Sequence, residues 1–228
     1  AVQADIDNLK AATKGRTYED VFVPAIASSY VASTFANAYY RTYEEYEQAR
    51  SDALREEYKA IVDAGFILQI DDPRLVTYYM MNPHLSVADC RKWAAQRVEA
   101  INESIRGIPP EKVRFHTCYS IDVGPRIHEM DLKDIVDIIL TINAGAYSFE
   151  AANPRHEHEY HVFEHVKLPT GKILIPGVIS HTTNLVEHPE LVAERILRFA
   201  KLVGRENVIA GADCGFAASA LRFNDTHP

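Results

Sequence analysis

Cysteine is scarce in this chain. Cys90, Cys118 and Cys214 are the only three in 228 residues, too few and too odd in number for a disulfide framework. A reducing, cytoplasmic setting is the simplest expectation, and it keeps thiols available as ligands. No apolar run approaches the length needed to span a bilayer and no signal peptide is visible, so a membrane partner is not expected. Basic charge is in deficit: 24 Lys and Arg face 32 Asp and Glu, a formal net charge of −8. A general nucleic-acid binder would show a basic patch, so that class is set aside. Low-complexity segments, internal repeats and linkers are missing too, and the apolar share is that of an ordered chain. Residue 1 is Ala and not Met, from which a processed, truncated or partial product is expected.

What is present centres on Val113-Arg114-Phe115-His116-Thr117-Cys118. Residues i and i+2 of a strand point to one face, so His116 and Cys118 are expected side by side at a strand's C-terminal end. Imidazole and thiolate suit zinc, although a lone His-x-Cys is more often just the end of a buried strand with an inert Cys. Cys90 falls on a helical stripe with Val87, Trp93, Ala94, Val98, Ile101 and Ile105. Both it and Trp93 read as core residues.

Strands are predicted at 21–27, 66–70, 113–118, 146–151, 172–179 and 208–214. Helices are predicted at 5–13, 42–62, from Ser86 through Ile105, 131–144 and 189–203. Thr42 with Glu45 forms a capping box, and Pro189 suits a first helical turn. Strands alternating with helices favour a parallel sheet with right-handed crossovers. Asp71, Glu150, Ser180-His181 and Asp213-Cys214 all fall at strand C-termini, which in a (β/α)-barrel make the active-site face. A doubly wound sheet fits the same alternation. A closed barrel needs eight strands and six are visible. Either two lie outside the chain, or the barrel is open with its edges covered by a partner, which admits a homo-oligomer.

With His116, Cys118, Glu150 and Cys214 on strand ends, the chain resembles the catalytic barrel of cobalamin-independent methionine synthase and its short relatives, which include epoxyalkane:coenzyme M transferase. The resemblance is carried by Gln69-Ile70-Asp71-Asp72-Pro73, His116-Thr117-Cys118-Tyr119, Ser148-Phe149-Glu150, Gly177-Val178-Ile179-Ser180-His181 and Asp213-Cys214-Gly215. It implies an α/β fold, a (β/α)8 TIM barrel of the methionine synthase and uroporphyrinogen decarboxylase type that lacks its first strands here. Residues 1–228 are then a single, partial catalytic barrel domain. It also implies a Zn²⁺ enzyme that moves a methyl or other alkyl group from a small-molecule donor onto a small thiol. His116, Cys118 and Cys214 match the zinc ligands, and Glu150 the carboxylate that completes the resting tetrahedron and yields to substrate sulfur. His181 corresponds, one residue offset, to the His that protonates the leaving group. Asp71 corresponds to the Asp that holds a substrate amino group, whereas Asp72 reads as a helix cap or a solvated charge.

Two departures bear on the donor and the acceptor. The synthases stack folate on a Trp near the strand that here reads Val23-Pro24-Ala25-Ile26, and Trp93 lies on a helix instead. Their contacts to the substrate carboxylate lie on early strands that are not visible here. Arg155, shortly after Glu150, is a candidate for a substrate sulfonate or carboxylate, or else pairs with a neighbouring Glu. Arg126 has a weaker case of the same kind. The His-rich run 153–165 reads as a solvated loop and helix start in preference to a second metal site. The competing classes are a metal-free decarboxylase-like barrel with a basic pocket and a non-catalytic, zinc-stabilised fragment. An epoxide-opening transfer to a sulfonated thiol would use the same zinc chemistry as methyl transfer.

Overall fold

Alternating side chains decide the architecture. The computed structural model describes residues 2–119 and 125–216. Helix α1 (Val2–Thr13) precedes β1 (Phe22–Ile26), and α2 (Ser28–Thr34) and α3 (Tyr43–Asp63) lead to β2 (Ile67–Asp71). Helices α4 (Arg74–Met81) and α5 (Val87–Ser104) connect β2 to β3 (Val113–Thr117). After β3 come α6 (Val136–Ile139), β4 (Ala146–Phe149), β5 (Ile173–Ile179), α7 (Pro189–Val203) and β6 (Gly211–Ala212). The six strands are parallel, lie side by side in chain order, and curl into a half-barrel.

One face of the sheet carries Leu68, Ile70, Val113, Phe115, Tyr147 and Leu174, all buried against the helices. The other face carries Gln69, Asp71, Arg114, His116 and Ser148, the opposite parity on the same strands. Register brings Ile26, Asp71, His116 and Ser148 to one level, and Pro24, Gln69, Arg114 and Ala146 to the level nearer the strand N-termini. The hydrophobic core therefore lies between sheet and helices, while the concave face is polar along β2, β3 and the C-terminal end of β4 and apolar along β1.

Local signals explain most helix ends. The Thr42 side chain accepts from Glu45 N at 3.1 Å, while the Glu45 carboxylate reaches Arg41 N instead of closing the expected box. Ser86 and Asp89 do form a reciprocal box at the start of α5. Asp72 caps α4 by accepting from Arg74 N at 3.0 Å, as expected, but it is fully buried and not solvated. Its other oxygen accepts from Ser29 Oγ at 2.5 Å, and burial raises its pKa to about 6.

Three expectations are corrected. The helix expected over 131–144 is a 3-10 turn at Leu132–Asp134 followed by the single turn of α6. Side chains of α5 take the backbone groups that a longer helix would pair. Arg91 donates to Asp134 O, and Asn102 accepts from Asn143 N at 2.7 Å and donates to Thr141 O at 3.1 Å. The strand expected over 208–214 pairs only at Gly211–Ala212, with an isolated bridge at Val208. There the chain leaves register because Asp213 is drawn against Gly177, where a Cβ would lie 2.8 Å from both Asp213 N and Cα. The His-rich run is a 3-10 helix, Glu157–Glu164, in which Glu159 and Phe163 are buried, and the preceding His156 is buried too. Glu159 is held there by Leu132 N at 2.6 Å and His156 Nδ1 at 2.9 Å, so that segment is not a solvated loop. No helix among the described residues is long and apolar enough to cross a membrane.

Candidate metal centre

Strand β3 delivers His116 and, one step past its end, Cys118; the segment after β6 delivers Cys214. One ligating atom from each lies within 4.8 Å of the other two. The two Sγ atoms are 3.5 Å apart. That is far beyond a disulfide bond of about 2.05 Å and near the ~3.8 Å edge of a tetrahedron built on Zn–S bonds of about 2.3 Å. His116 Nδ1 meets Ser148 Oγ at 3.2 Å, which leaves Nε2 as the nitrogen available to an ion. A ligating imidazole is ordinarily oriented this way, by a partner on its other nitrogen. Soft sulfur with borderline imidazole is a zinc-type donor set, so these residues fit the metal.

The electrostatics run the same way. The Cys118 thiol, hydrogen-bonded to Cys214, lowers the Cys214 pKa to about 4, aided by His116 and opposed by burial. Burial raises Asp71, with His116 pulling it down. Burial also raises Glu150 to about 8, and the nearby Asp213 charge adds to that rise. Closely set acids that resist ionising together are relieved by a cation.

Glu150 stands behind this trio and outside it. Its Oε1 accepts from Tyr119 N at 2.7 Å and its Oε2 from Asn153 Nδ2 at 2.8 Å. Asn153 Nδ2 also reaches Asp213 Oδ2 at 3.1 Å, and Asp213 Oδ1 accepts from Ala151 N and Ala152 N at 2.7 and 2.8 Å. His181 is buried beside Asp213 with both ring nitrogens unpartnered among the described residues. Tyr119 is itself wedged: its ring stacks on His156 at 3.7 Å and its hydroxyl donates to Met130 O at 2.5 Å.

A cavity of 560 Å³ opens on the cluster. Asp71, Gln69, Arg114, His116, Cys118 and Cys214 line it, and Phe22, Pro24, Ile26 and Tyr30 make its apolar wall. Asp71 Oδ1 is steadied by Gln69 Nε2 at 2.7 Å. Arg155 is not on that lining; it faces Glu129 at 3.5 Å, and Arg126 faces the same Glu129 at 3.2 Å. Asn153 and Arg114 belong to the site without a role having been assigned from sequence, and Ser148, quoted there only within the Ser148-Phe149-Glu150 match, joins them. Two-residue spacing from Glu150 and from His116 marks Ser148 and Arg114, whereas nothing local marks Asn153.

Residues 32–223 match the family model described as the catalytic domain of cobalamin-independent synthase. The chain belongs to that family. It is 26% identical over 213 residues to the methionine synthase of Thermococcus kodakarensis, covering 92% of this chain and 55% of that protein. The methionine synthase of Saccharolobus islandicus strain L.S.2.15 is 27% identical over 207 residues, 89% of this chain and 54% of the relative. The chain thus spans about half the length of the curated relatives it matches. Among solved structures, a B12-independent methionine synthase from Shewanella sp. W3-18-1, in complex with selenomethionine, superposes with a TM-score of 0.70 at 19% identity. That match covers 95% of this chain and 61% of the other, and it carries the fold alone.

Thiol reactivity in this cobalamin-independent synthase domain should follow the geometry of the pair. In the reduced, metal-free chain, Cys214 is expected to alkylate with iodoacetamide at pH 5.5, where an ordinary thiol of pKa ~8.5 is nearly silent. Cys118→Ala should slow that reaction at least about tenfold at the same pH, with buried Cys90 as the unreactive internal control. An alkylation midpoint near pH 8 for Cys214 in the unaltered chain contradicts the shared-proton arrangement.

Proposed function

We propose that this domain uses zinc to transfer a methyl or other alkyl group onto a small thiol, in the manner of a cobalamin-independent methionine synthase. The observation that carries the reading is the meeting of His116, Cys118 and Cys214 at one point beside the cavity on the concave sheet face. In this reading those three residues hold the ion, and Glu150 completes the set. To do so Glu150 must give up Tyr119 N or Asn153 Nδ2, so it is the donor most easily exchanged. Zinc held there supplies a lowered thiol pKa, so that the acceptor is a thiolate at neutral pH.

The remaining work falls to side chains. Asp71, steadied by Gln69, is available to a substrate amino group on the cavity wall. His181 is assigned the proton of the leaving group. A buried imidazole with neither nitrogen satisfied is costly unless a substrate or water completes it, which favours a chemical role over a packing one. Arg155 has the weaker claim on a substrate anion, because Glu129 already faces it. We also read the half-barrel as six strands of a (β/α)8 barrel of the methionine synthase type. Exposed Phe22 and Ile26 on the concave side of β1 support this, and fewer than eight strands in a longer natural form would overturn it.

One observation favours the epoxide-opening variant of the same chemistry. The chain's single Trp93 is stacked on Tyr78 at 3.9 Å between α4 and α5, away from the cavity wall where a folate platform is needed. Reduced, zinc-loaded chain should show two sulfur neighbours by zinc-edge absorption, and a third on adding homocysteine or 2-mercaptoethanesulfonate, with one oxygen neighbour lost. A spectrum that no thiol changes would sink the transferase reading. His181→Asn should leave those spectra intact while slowing turnover with methyl or epoxide donors by about 10²-fold or more. Undiminished turnover would remove His181 from the chemistry.

A further inference from the structure

Glu150 has two oxygens and two buried donors, and the donors are not equally replaceable. Tyr119 N has one proton to give, and Glu150 Oε1 takes it at 2.7 Å. That residue is pinned on two sides, its ring stacked on His156 and its hydroxyl tied to Met130 O. A buried backbone N–H stripped of its acceptor is costly. Asn153 Nδ2 has two protons and serves two acids, Glu150 Oε2 at 2.8 Å and Asp213 Oδ2 at 3.1 Å. If Glu150 withdraws, the amide still holds Asp213, so releasing Asn153 costs less than releasing Tyr119.

The other end of the amide fixes its orientation. Asn153 Oδ1 accepts from Arg155 N at 3.1 Å and from His156 N at 3.2 Å, so Nδ2 is the end that faces the acids. Those acids come from opposite ends of the sheet, Glu150 after β4 and Asp213 immediately before Cys214. Cys214 also acts through space on the Glu150 carboxylate, which places that side chain near the cluster.

We propose that Asn153 is a positioning residue, a berth for the one Glu150 oxygen that exchanges at the metal: Oε2 passes between Asn153 Nδ2 and the ion while Oε1 stays on Tyr119 N. The inference rests on the exchange of Glu150 proposed above, and it adds which oxygen moves and what receives it. Asn153 touches neither ion nor substrate. It sets how readily Glu150 leaves, by offering the departing oxygen a charge-assisted hydrogen bond. Without that berth, Glu150 holds the ion more tightly and yields less readily to a thiol.

The first test uses the unaltered chain, reduced and ¹⁵N-labelled, and follows the two Nδ2–H resonances of Asn153, correlated through bonds with its own Cβ. One equivalent of Zn²⁺ should move one of them toward the position of an unbonded amide and shift the other, held by Asp213, far less. Excess homocysteine should send the first one back. Zinc that protects Cys118 and Cys214 from iodoacetamide yet leaves both resonances in place overturns the berth. A resonance that zinc moves and no thiol restores defeats the thiol reading and leaves the berth standing.

The second test is Asn153→Ser, which keeps a short acceptor for the following N–H groups but does not reach the acids. Its half-saturation with cobalt(II) should fall about threefold or more, and that of the cobalt-loaded chain with homocysteine should rise by about the same factor, because carboxylate and thiol compete for one position. A change that only loosened the fold would weaken metal binding instead. Weaker cobalt binding, or a homocysteine titration that does not shift, overturns the proposal.

Discussion

Two thiols and an imidazole brought within bonding reach of one point are the constraint around which this molecule is arranged. The cluster gathers thiolate character on Cys214 and sets it near Asp71, Glu150 and Asp213. Burial raises all three of these acids, the mark of a site where negative charge is hard to sustain unaided. Arg114, Arg126 and His181 offset part of that charge through space. The fold provides a geometry and a donor set that fit a metal ion.

That geometry is inherited from strand parity and register. Because β3 alternates, Val113 and Phe115 anchor it in the core while Arg114 and His116 face the cavity. Because β2, β3 and β4 are level, Asp71 and Ser148 flank His116. Cys214 comes from the far end of the sheet, and it arrives through a backbone bend at Asp213 made possible by Gly177. Asn153 then ties the two ends together by bridging Glu150 and Asp213. A larger residue at 177 would push against the backbone that presents Cys214, so the glycine serves the ligand as much as the strand.

Much of this is visible in the chain itself. Short apolar runs alternating with helical stripes mark the strands, and the resemblance to the synthase family points to His116, Cys118 and Cys214 as one ligand set. The failures share a physical cause. Residues 131–144 carry a helical stripe, yet their backbone groups are satisfied by Arg91 and Asn102 from α5, a tertiary substitution that no local pattern encodes. The His-rich run is hydrophilic in composition, but His156 and Glu159 hydrogen-bond one another and are buried, with the His156 ring stacked on Tyr119. Arg114 shares the parity of His116 on β3, but parity alone does not show what that face of the strand borders. Only the cavity shows that it faces the same space as His116. Asn153, whose importance lies wholly in bridging distant acids, had no sequence signal at all.

The most direct measurement is a crystal structure of the reduced, zinc-soaked chain with anomalous data collected on both sides of the zinc edge. The account predicts one strong peak at about 2.3 Å from the Sγ atoms of Cys118 and Cys214 and about 2.0–2.1 Å from a ring nitrogen of His116. A map with no peak between these residues, or with the ion on the His-rich segment instead, would contradict it.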